Sequence, residues 1–258
     1  MLYIYMNTEL LLVYYSHSTY YPVLNVVNEY LKNISNKKIL FIDKIVPEHD
    51  NLCFDEIIFY DDKLNYTKKL YNSLIQLNED NKYIIFSLDI DILLKLDNNK
   101  LNNMTTIMDN ENIDRIVLVE RESLKLMDLI DLNDNTSKIG YNYEQFYYFN
   151  VQPSIWNLKS FIKLNNDLDV CYRDVEYELT QDYCKNNLKF YCLSIHDKCK
   201  KIQGLLGHDV CDTYCHIHIS SFGIVRKHHY HDPPRNEDEE FYWNEYDKII
   251  KILPDKLR

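Results

Sequence analysis

Asp89 and Asp91, one residue apart, close the apolar run Tyr83-Ile84-Ile85-Phe86-Ser87-Leu88. A strand sends residues i and i+2 to the same face, so this spacing predicts two carboxylates converging at a strand's C-terminal end. Hard divalent cations take oxygen ligands and often bridge carboxylates to phosphates, so the pair suits metal-assisted handling of a phosphorylated ligand. The competing reading is two solvated turn aspartates, since Asp is a common turn residue. Other acids gather in Asp174-Val175-Glu176-Tyr177-Glu178, and Asp43, Asp61 and Asp62 follow apolar runs of their own. Cys211, Cys215, His216 and His218 carry thiol and imidazole ligands, but their spacing matches no common zinc finger.

The elements that must position these groups alternate. Apolar runs at 9–15, 38–43, 54–62, 82–91 and 113–119 read as strands. Residues 21–33, 67–77 and 100–108 read as helices, with Leu70, Leu74 and Leu77 on one face of the second. This order predicts an α/β fold, a Rossmann-like central mixed sheet flanked by helices. In such sheets ligands sit outside the carboxyl ends of the strands, which is where Asp89 and Asp91 fall. Beyond 120 the texture changes. Residues 128–138 read as a polar loop, 146–152 as a strand, 153–165 as a turn into a helix, and 171–181 as another helix opening. Strands at 188–195 and 220–226 and an amphipathic helix at 241–253 complete the chain. The reading is one domain over 1–258, with one half at about 9–120 and another at about 140–258, which the resemblance described below makes a nucleotide-sugar half and an acceptor half.

Composition narrows the function. The net charge is −11 and no Lys/Arg cluster forms a stripe, which argues against nucleic acid as the main ligand. Neither a Gly-x-Gly-x-x-Gly nor a Walker-type loop follows the first strand, against a dinucleotide oxidoreductase or a P-loop phosphotransferase. No run reaches the length of a transmembrane segment and the N-terminus lacks signal-peptide features, so the expected place is the cytoplasm, or a host's cytoplasm or a virion if the chain is viral. The seven cysteines are then expected to be reduced thiols.

Three segments together resemble GT-A glycosyltransferases, in particular small polysaccharide- or capsule-type transferases of bacteria and large DNA viruses. They are the Tyr83 run with its two aspartates followed by a helix and the 113–119 strand; Phe149-Asn150-Val151-Gln152-Pro153-Ser154-Ile155-Trp156; and Arg173-Asp174-Val175-Glu176. The pattern spans roughly 9–230. Arg173 stands where that family usually has Trp, and Tyr177-Glu178-Leu179-Thr180 stands where a more basic or glycine-containing stretch is common; both departures bear on the acceptor side.

The resemblance implies a nucleotide-diphosphate sugar as donor, a UDP-sugar first among them, a glycan acceptor, and Mn²⁺ or Mg²⁺ held by Asp89 and Asp91. Ser16, His17, Asp43, Asp89 and Ile90 would then bind the nucleotide sugar, against a plain capping or loop role for Ser16, His17 and Asp43. Gln152 and Trp156 would bind the acceptor, against a core role for Trp156. Glu176 would be the general base of an inverting transfer, with Asp174 and Glu178 as contenders and a helix-dipole role as the plain alternative. The run His228-His229-Tyr230-His231 is either a third source of metal ligand or a solvated cluster. Any oligomer expected is a homodimer. Two rivals stand beside this reading. One is a nucleotidyltransferase of sugar phosphates, which would usually place a Gly-rich stretch with Lys or Arg after the first strand. The other is a catalytically inactive transferase-like domain that binds glycans or protein.

Overall fold

The computed structural model describes residues 10–49, 51–78, 80–118, 126–131, 137–142, 149–195, 214–218 and 240–253. The expected strand at 220–226, the run His228–His231 and Cys211 lie outside these residues.

Strand β1 (Leu11–Tyr15) is almost wholly buried, as are β2 (Lys38–Ile42) and β4 (Tyr83–Leu88). Their unbroken apolar sequences follow from being covered on both faces. The strands β1, β2, β3 (Glu56–Phe59) and β4 are parallel neighbours in the order β3-β2-β1-β4. The sheet then continues through β9 (Ser154–Asn157), β6 (Arg115–Val117), β10 (Phe190–Ile195), β8 (Ser137–Asn142) and β7 (Leu126–Asp131). β9 runs antiparallel between β4 and β6, β10 lies parallel to β6, and β8 and β7 return antiparallel. The chain is therefore a mixed α/β protein with helices on both faces of one sheet.

One face packs on α1 (Tyr21–Leu31), α3 (Asn98–Glu111) and α6 (Glu240–Ile252), through Val23, Val27, Leu101, Met104, Met108 and Ile249. The other packs on α2 (Tyr66–Leu74), α4 (Leu158–Asp167) and α5 (Glu178–Asn187), through Leu70, Leu74, Phe161, Leu164 and Cys184. Local chemistry sets the helix ends. Asp97 accepts from the N–H groups of Asn99 and Lys100 at the start of α3, and Asn112 ends it in the left-handed region at φ 53°.

Four expectations are corrected. The strand carrying the aspartates stops at Leu88: Asp89 and Ile90 form a turn, and Asp91 opens β5 (Asp91–Leu96), which leaves the main sheet to pair antiparallel with β11 (Tyr214–His218). The segment read as a polar loop at 128–138 overlaps two strands, 126–131 and 137–142, that pair antiparallel. Described residues 149–152 are not strand; the strand comes later, at Ser154–Asn157, where a helix was expected. Two edges of pairing, to Tyr83–Phe86 and to Arg115–Val117, outweigh the local turn signal of Pro153. Residues 172–176 form turns, so Glu176 precedes α5 rather than riding on it.

Candidate functional site

The site forms where β1 and β4 end side by side. Tyr15 pairs with Leu88, and the Tyr15 carbonyl accepts the Asp89 N–H at 3.0 Å. The loop after β1 is fixed at Ser16 by three contacts. Its N–H donates to Phe41 at 2.9 Å, its carbonyl accepts the Tyr60 hydroxyl at 2.7 Å, and its hydroxyl donates to Asp89 Oδ2 at 2.6 Å. Asp89 is buried, and burial pushes its carboxyl up to about 7; the Ser16 hydrogen bond opposes this, the neighbouring charge of Asp91 adds to it, and the His17 N–H opposes it again. Asp91 is buried too, with Oδ2 facing the Leu88 N–H at 3.4 Å, while its carbonyl accepts the Tyr14 hydroxyl at 3.2 Å. The Asp89–Ile90 turn, not a shared strand face, brings the two carboxylates within electrostatic reach of each other.

Asp43 joins the same loop from the end of β2. Its oxygens accept the Ser18 N–H at 2.6 Å and the Ser18 hydroxyl at 2.7 Å. His17 Nε2 lies 3.7 Å from Asp43 and 3.3 Å from Asp62, and Asp62 pairs with Lys69 at 2.5 Å. Asp62, exposed at the surface, is thus tied to the first loop through His17. One loop therefore binds Asp89 at one end and Asp43 at the other, bringing Ser16, His17, Asp43 and Asp89 together. Ile90 packs against the core on the α2 side.

The second half contributes Glu176. Its Oε1 accepts the Val151 N–H at 2.9 Å, and its carbonyl accepts Gln181 Nε2 at 2.9 Å. Asp174 and Glu178 are exposed, whereas Glu176 is partly buried. Tyr172 links it to the aspartates. Burial raises the Tyr172 hydroxyl well above its ordinary pKa, and the charges of Glu176, Asp89 and Asp91 raise it further. The Tyr172 ring meets Tyr66 edge-on at 5.1 Å, and Tyr66 meets Tyr15 edge-on at 5.1 Å. Acids from both halves of the chain thus add to the effect of burial on one hydroxyl.

Trp156 is corrected. It is 1% exposed and stacked on Phe161 at 4.4 Å, so it offers no face to an acceptor and is core. Gln152 is partly buried in the turn before β9; its Oε1 accepts from Asn150 at 2.9 Å, and its carbonyl accepts from Arg115 and the Ser154 hydroxyl. Arg115 holds that turn together. It is 1% exposed, donates to Asn150, Gln152 and Ser154, and lies 4.9–5.5 Å from the centroids of Trp156, Phe149 and Phe190. Burial lowers its pKa to about 10, against the neighbouring charges. An Arg inside the apolar run 113–119 was the signal for this role, while Tyr66 and Tyr172 had none.

Two buried oxygen-ligand groups that face each other's charge suit a hard cation. Among the described residues no cluster of three or more His, Cys, Asp or Glu side chains could hold a metal, so a cation here would take Asp89 and Asp91 and complete its shell from substrate or water. His218 stands opposite Asp91 in the β5–β11 register. Among the described residues no helix is long and apolar enough to cross a membrane.

No protein family matches the sequence, and no curated protein is significantly similar to it. Among solved structures, it is similar to the 2-C-methyl-D-erythritol 4-phosphate cytidylyltransferase (IspD) of Francisella tularensis, with 10% identity, a TM-score of 0.43, and 72% of this chain and 91% of that one covered. It is also similar to the bifunctional IspDF of Campylobacter jejuni, with 12% identity and a TM-score of 0.42; 75% of this chain is covered, and it spans about half (52%) of that protein. Likenesses of this size carry no chemistry over to this chain, and neither places it in a glycosyltransferase family.

Proposed function

We propose that this protein is a divalent-metal-dependent transferase that moves a sugar from a nucleotide-diphosphate sugar to an acceptor hydroxyl. The observation that carries the reading is the pair of buried carboxylates, Asp89 and Asp91, at the end of β4, with the Ser16–Ser18 loop tied to Asp89 and Asp43 beside them. Asp89 and Asp91 would hold Mn²⁺ or Mg²⁺, which when bound neutralises charge developing on a pyrophosphate leaving group.

The chain's own groups take the remaining roles. Ser16 orients Asp89, and the loop bearing His17, with Asp43 behind it, would meet the base and ribose. Val151 fixes one oxygen of Glu176 and leaves the other to take a proton. In the transfer, the acceptor oxygen forms a bond to the anomeric carbon as the bond to the phosphate oxygen breaks. The acceptor proton goes to Glu176 and the nucleoside diphosphate leaves with the bonding electrons. Attack from the face opposite the leaving group inverts the anomeric centre.

A second reading, nucleotidyl transfer to a sugar phosphate, is favoured by one observation. The loop after β1 has no Lys or Arg, but α2 brings Lys69 to Asp62, which contacts His17. One assay separates the two. With Mn²⁺ and a panel of nucleotide sugars, glycosyl transfer releases nucleoside diphosphate. With nucleoside triphosphates and sugar phosphates, nucleotidyl transfer releases pyrophosphate. Diphosphate release that Asp91→Asn abolishes supports the first reading; pyrophosphate release alone replaces it with the second.

A further inference from the structure

Residues 149–152 lead into β9 without belonging to a strand, and Phe149 and Asn150 are buried, so side chains must satisfy their backbone groups. Three partners do so in turn. Gln181 of α5 accepts the Phe149 N–H at 2.7 Å and donates from Nε2 to the Phe149 carbonyl at 2.7 Å, and the same Nε2 reaches the Glu176 carbonyl at 2.9 Å. Arg115 of β6 donates from Nη2 to the Asn150 carbonyl at 2.7 Å. Glu176 Oε1 accepts the Val151 N–H at 2.9 Å. The last two bonds lie at opposite ends of one peptide group, the one that joins Asn150 to Val151. A guanidinium, an amide and a carboxylate therefore form an unbroken hydrogen-bonded row. The amide's carbonyl faces the cation and its N–H faces the anion, so its dipole is aligned with both charges.

We propose that Arg115 is a positioning residue for Glu176: through the Asn150–Val151 peptide it fixes and polarises the N–H that orients the Glu176 carboxylate. The use of Glu176 as a base rests on the transferase reading; its bond to this row does not. Arg115 is 1% exposed, and its acceptors on Asn150, Gln152 and Ser154 are all neutral. A buried charge is costly, and a buried ionic network replaced whole by apolar side chains often loses no stability, so folding alone does not call for a guanidinium here. A neutral donor could fill the Asn150 carbonyl, but a cation also draws charge along the amide and strengthens its N–H as a donor. The carboxylate that must meet an acceptor hydroxyl is thereby held in one orientation. The titratable groups whose charge reaches Arg115 are Cys192 of β10, Cys184 of α5, Glu176 and Tyr66 of α2, and of these only Glu176 is a carboxyl. Tyr66 and Tyr172 are the phenols facing Glu176, and Asp174 and Glu178 beside it in sequence are exposed.

Nitrogen-15 NMR of the full chain tests the row without any substrate. Between about pH 4 and about pH 7, where carboxyls titrate and ordinary thiols and phenols do not, the Val151 N–H and Arg115 Nε–H resonances should share one titration step. Glu176→Gln should remove that step from both. A step from Asp89, whose carboxyl burial pushes up to about 7, would persist in Glu176→Gln and is told apart in this way. A stationary Arg115 resonance, or a shared step that survives Glu176→Gln, would overturn the proposal. Turnover supplies the second measurement. Arg115→Gln, with circular dichroism unchanged, should lower kcat about 10-fold or more and change the donor KM less than about 3-fold, because Arg115 meets no substrate. Added to Glu176→Gln it should lower kcat by less than about 2-fold more, since it acts through that carboxylate; fully additive losses would overturn the proposal. Should Arg115→Gln fail to fold, the resonances of the wild type and Glu176→Gln still decide. A shared step in a protein without transfer activity keeps the row and removes the transferase reading; transfer activity without a shared step does the reverse.

Discussion

Asp89 pairs a strong demand for charge compensation with an address at the end of β4, and the two together give its metal role a measurable form. A carboxyl pushed up to about 7 by burial and by Asp91 gains from any bound divalent cation. Thermal melts of the wild type should rise with Mn²⁺, by the equivalent of about 2.7 kcal/mol at one hundred times the dissociation constant. Asp91→Asn should keep its fold and lose most of that response; an undiminished response would remove Asp91 as a ligand. Glu176 has a different signature. Glu176→Gln can still accept the Val151 N–H but cannot take a proton, so Mn²⁺-dependent nucleotide binding should persist while turnover falls about 10²–10⁴-fold. Glu178→Gln, at an exposed position on the first turn of α5, should change turnover little. Equal losses in both variants would point to general disturbance of this segment instead. The residue types of this site were legible in the sequence because acids after apolar runs are conspicuous. Tyr172 was not, since one tyrosine among 23 carries no signal until folding buries its hydroxyl within electrostatic reach of carboxylates from both halves.

The loop after β1 and the turn before β9 are the elements that hold the site, and each rests on one side chain. Burial alone would raise the Asp43 pKa, but the two Ser18 hydrogen bonds and the His17 ring outweigh it and hold the carboxyl below its ordinary 3.8. The unfolded chain therefore takes up this proton at higher pH than the folded one. The stabilisation is fully present above about pH 4 and is lost as pH falls through the lower folded value. Ser18→Ala should cost about 1.5–3 kcal/mol at pH 7, the range for a hydrogen bond to a charged group. In urea titrations the difference from wild type should shrink steadily toward pH 2, and a pH-independent difference would assign the loss to packing. Arg115 does the corresponding work before β9. Arg115→Met keeps an apolar stem among Phe149, Trp156 and Phe190 but strands acceptors on Asn150, Gln152 and Ser154. It should destabilise the protein by about 3 kcal/mol, as a measured shift in urea midpoint, whereas a loss under 1 kcal/mol would make the network dispensable. Element types were read well where burial on both faces wrote long apolar runs, as in β1, β2 and β4. They were misread at β9, because a four-residue strand paired along both edges owes its conformation to neighbours about 40 and about 70 positions away.

At the scale of the whole molecule the sheet decides how independent the two halves of the chain are. The composition change near residue 120 invited a division into a donor half and an acceptor half, and Asp89, Asp91 and Glu176 do come from both. The strand order nonetheless interleaves them. β9, from the second half, lies between β4 and β6 of the first, and β10 continues the sheet from β6. Without β9 the parallel strands β4 and β6 have no partner between them, and Ile84, Phe86 and Ile116 lose the cover of Ile155, Trp156 and α4. Sequence periodicity cannot reveal this, because it records which residues are buried but not which strand buries them. Unfolding of the intact chain should therefore be a single transition, coincident by far-ultraviolet circular dichroism and by tryptophan fluorescence, which reports Trp156 in β9 and Trp243 in α6. A chain ending at residue 120 should show no cooperative transition and should not bind nucleotide with Mn²⁺, although it contains Ser16, His17, Asp43, Asp89 and Asp91. Two separated transitions in the intact chain, or cooperative melting of the shortened one, would mean that the first half folds alone and that β9 only completes the acceptor side.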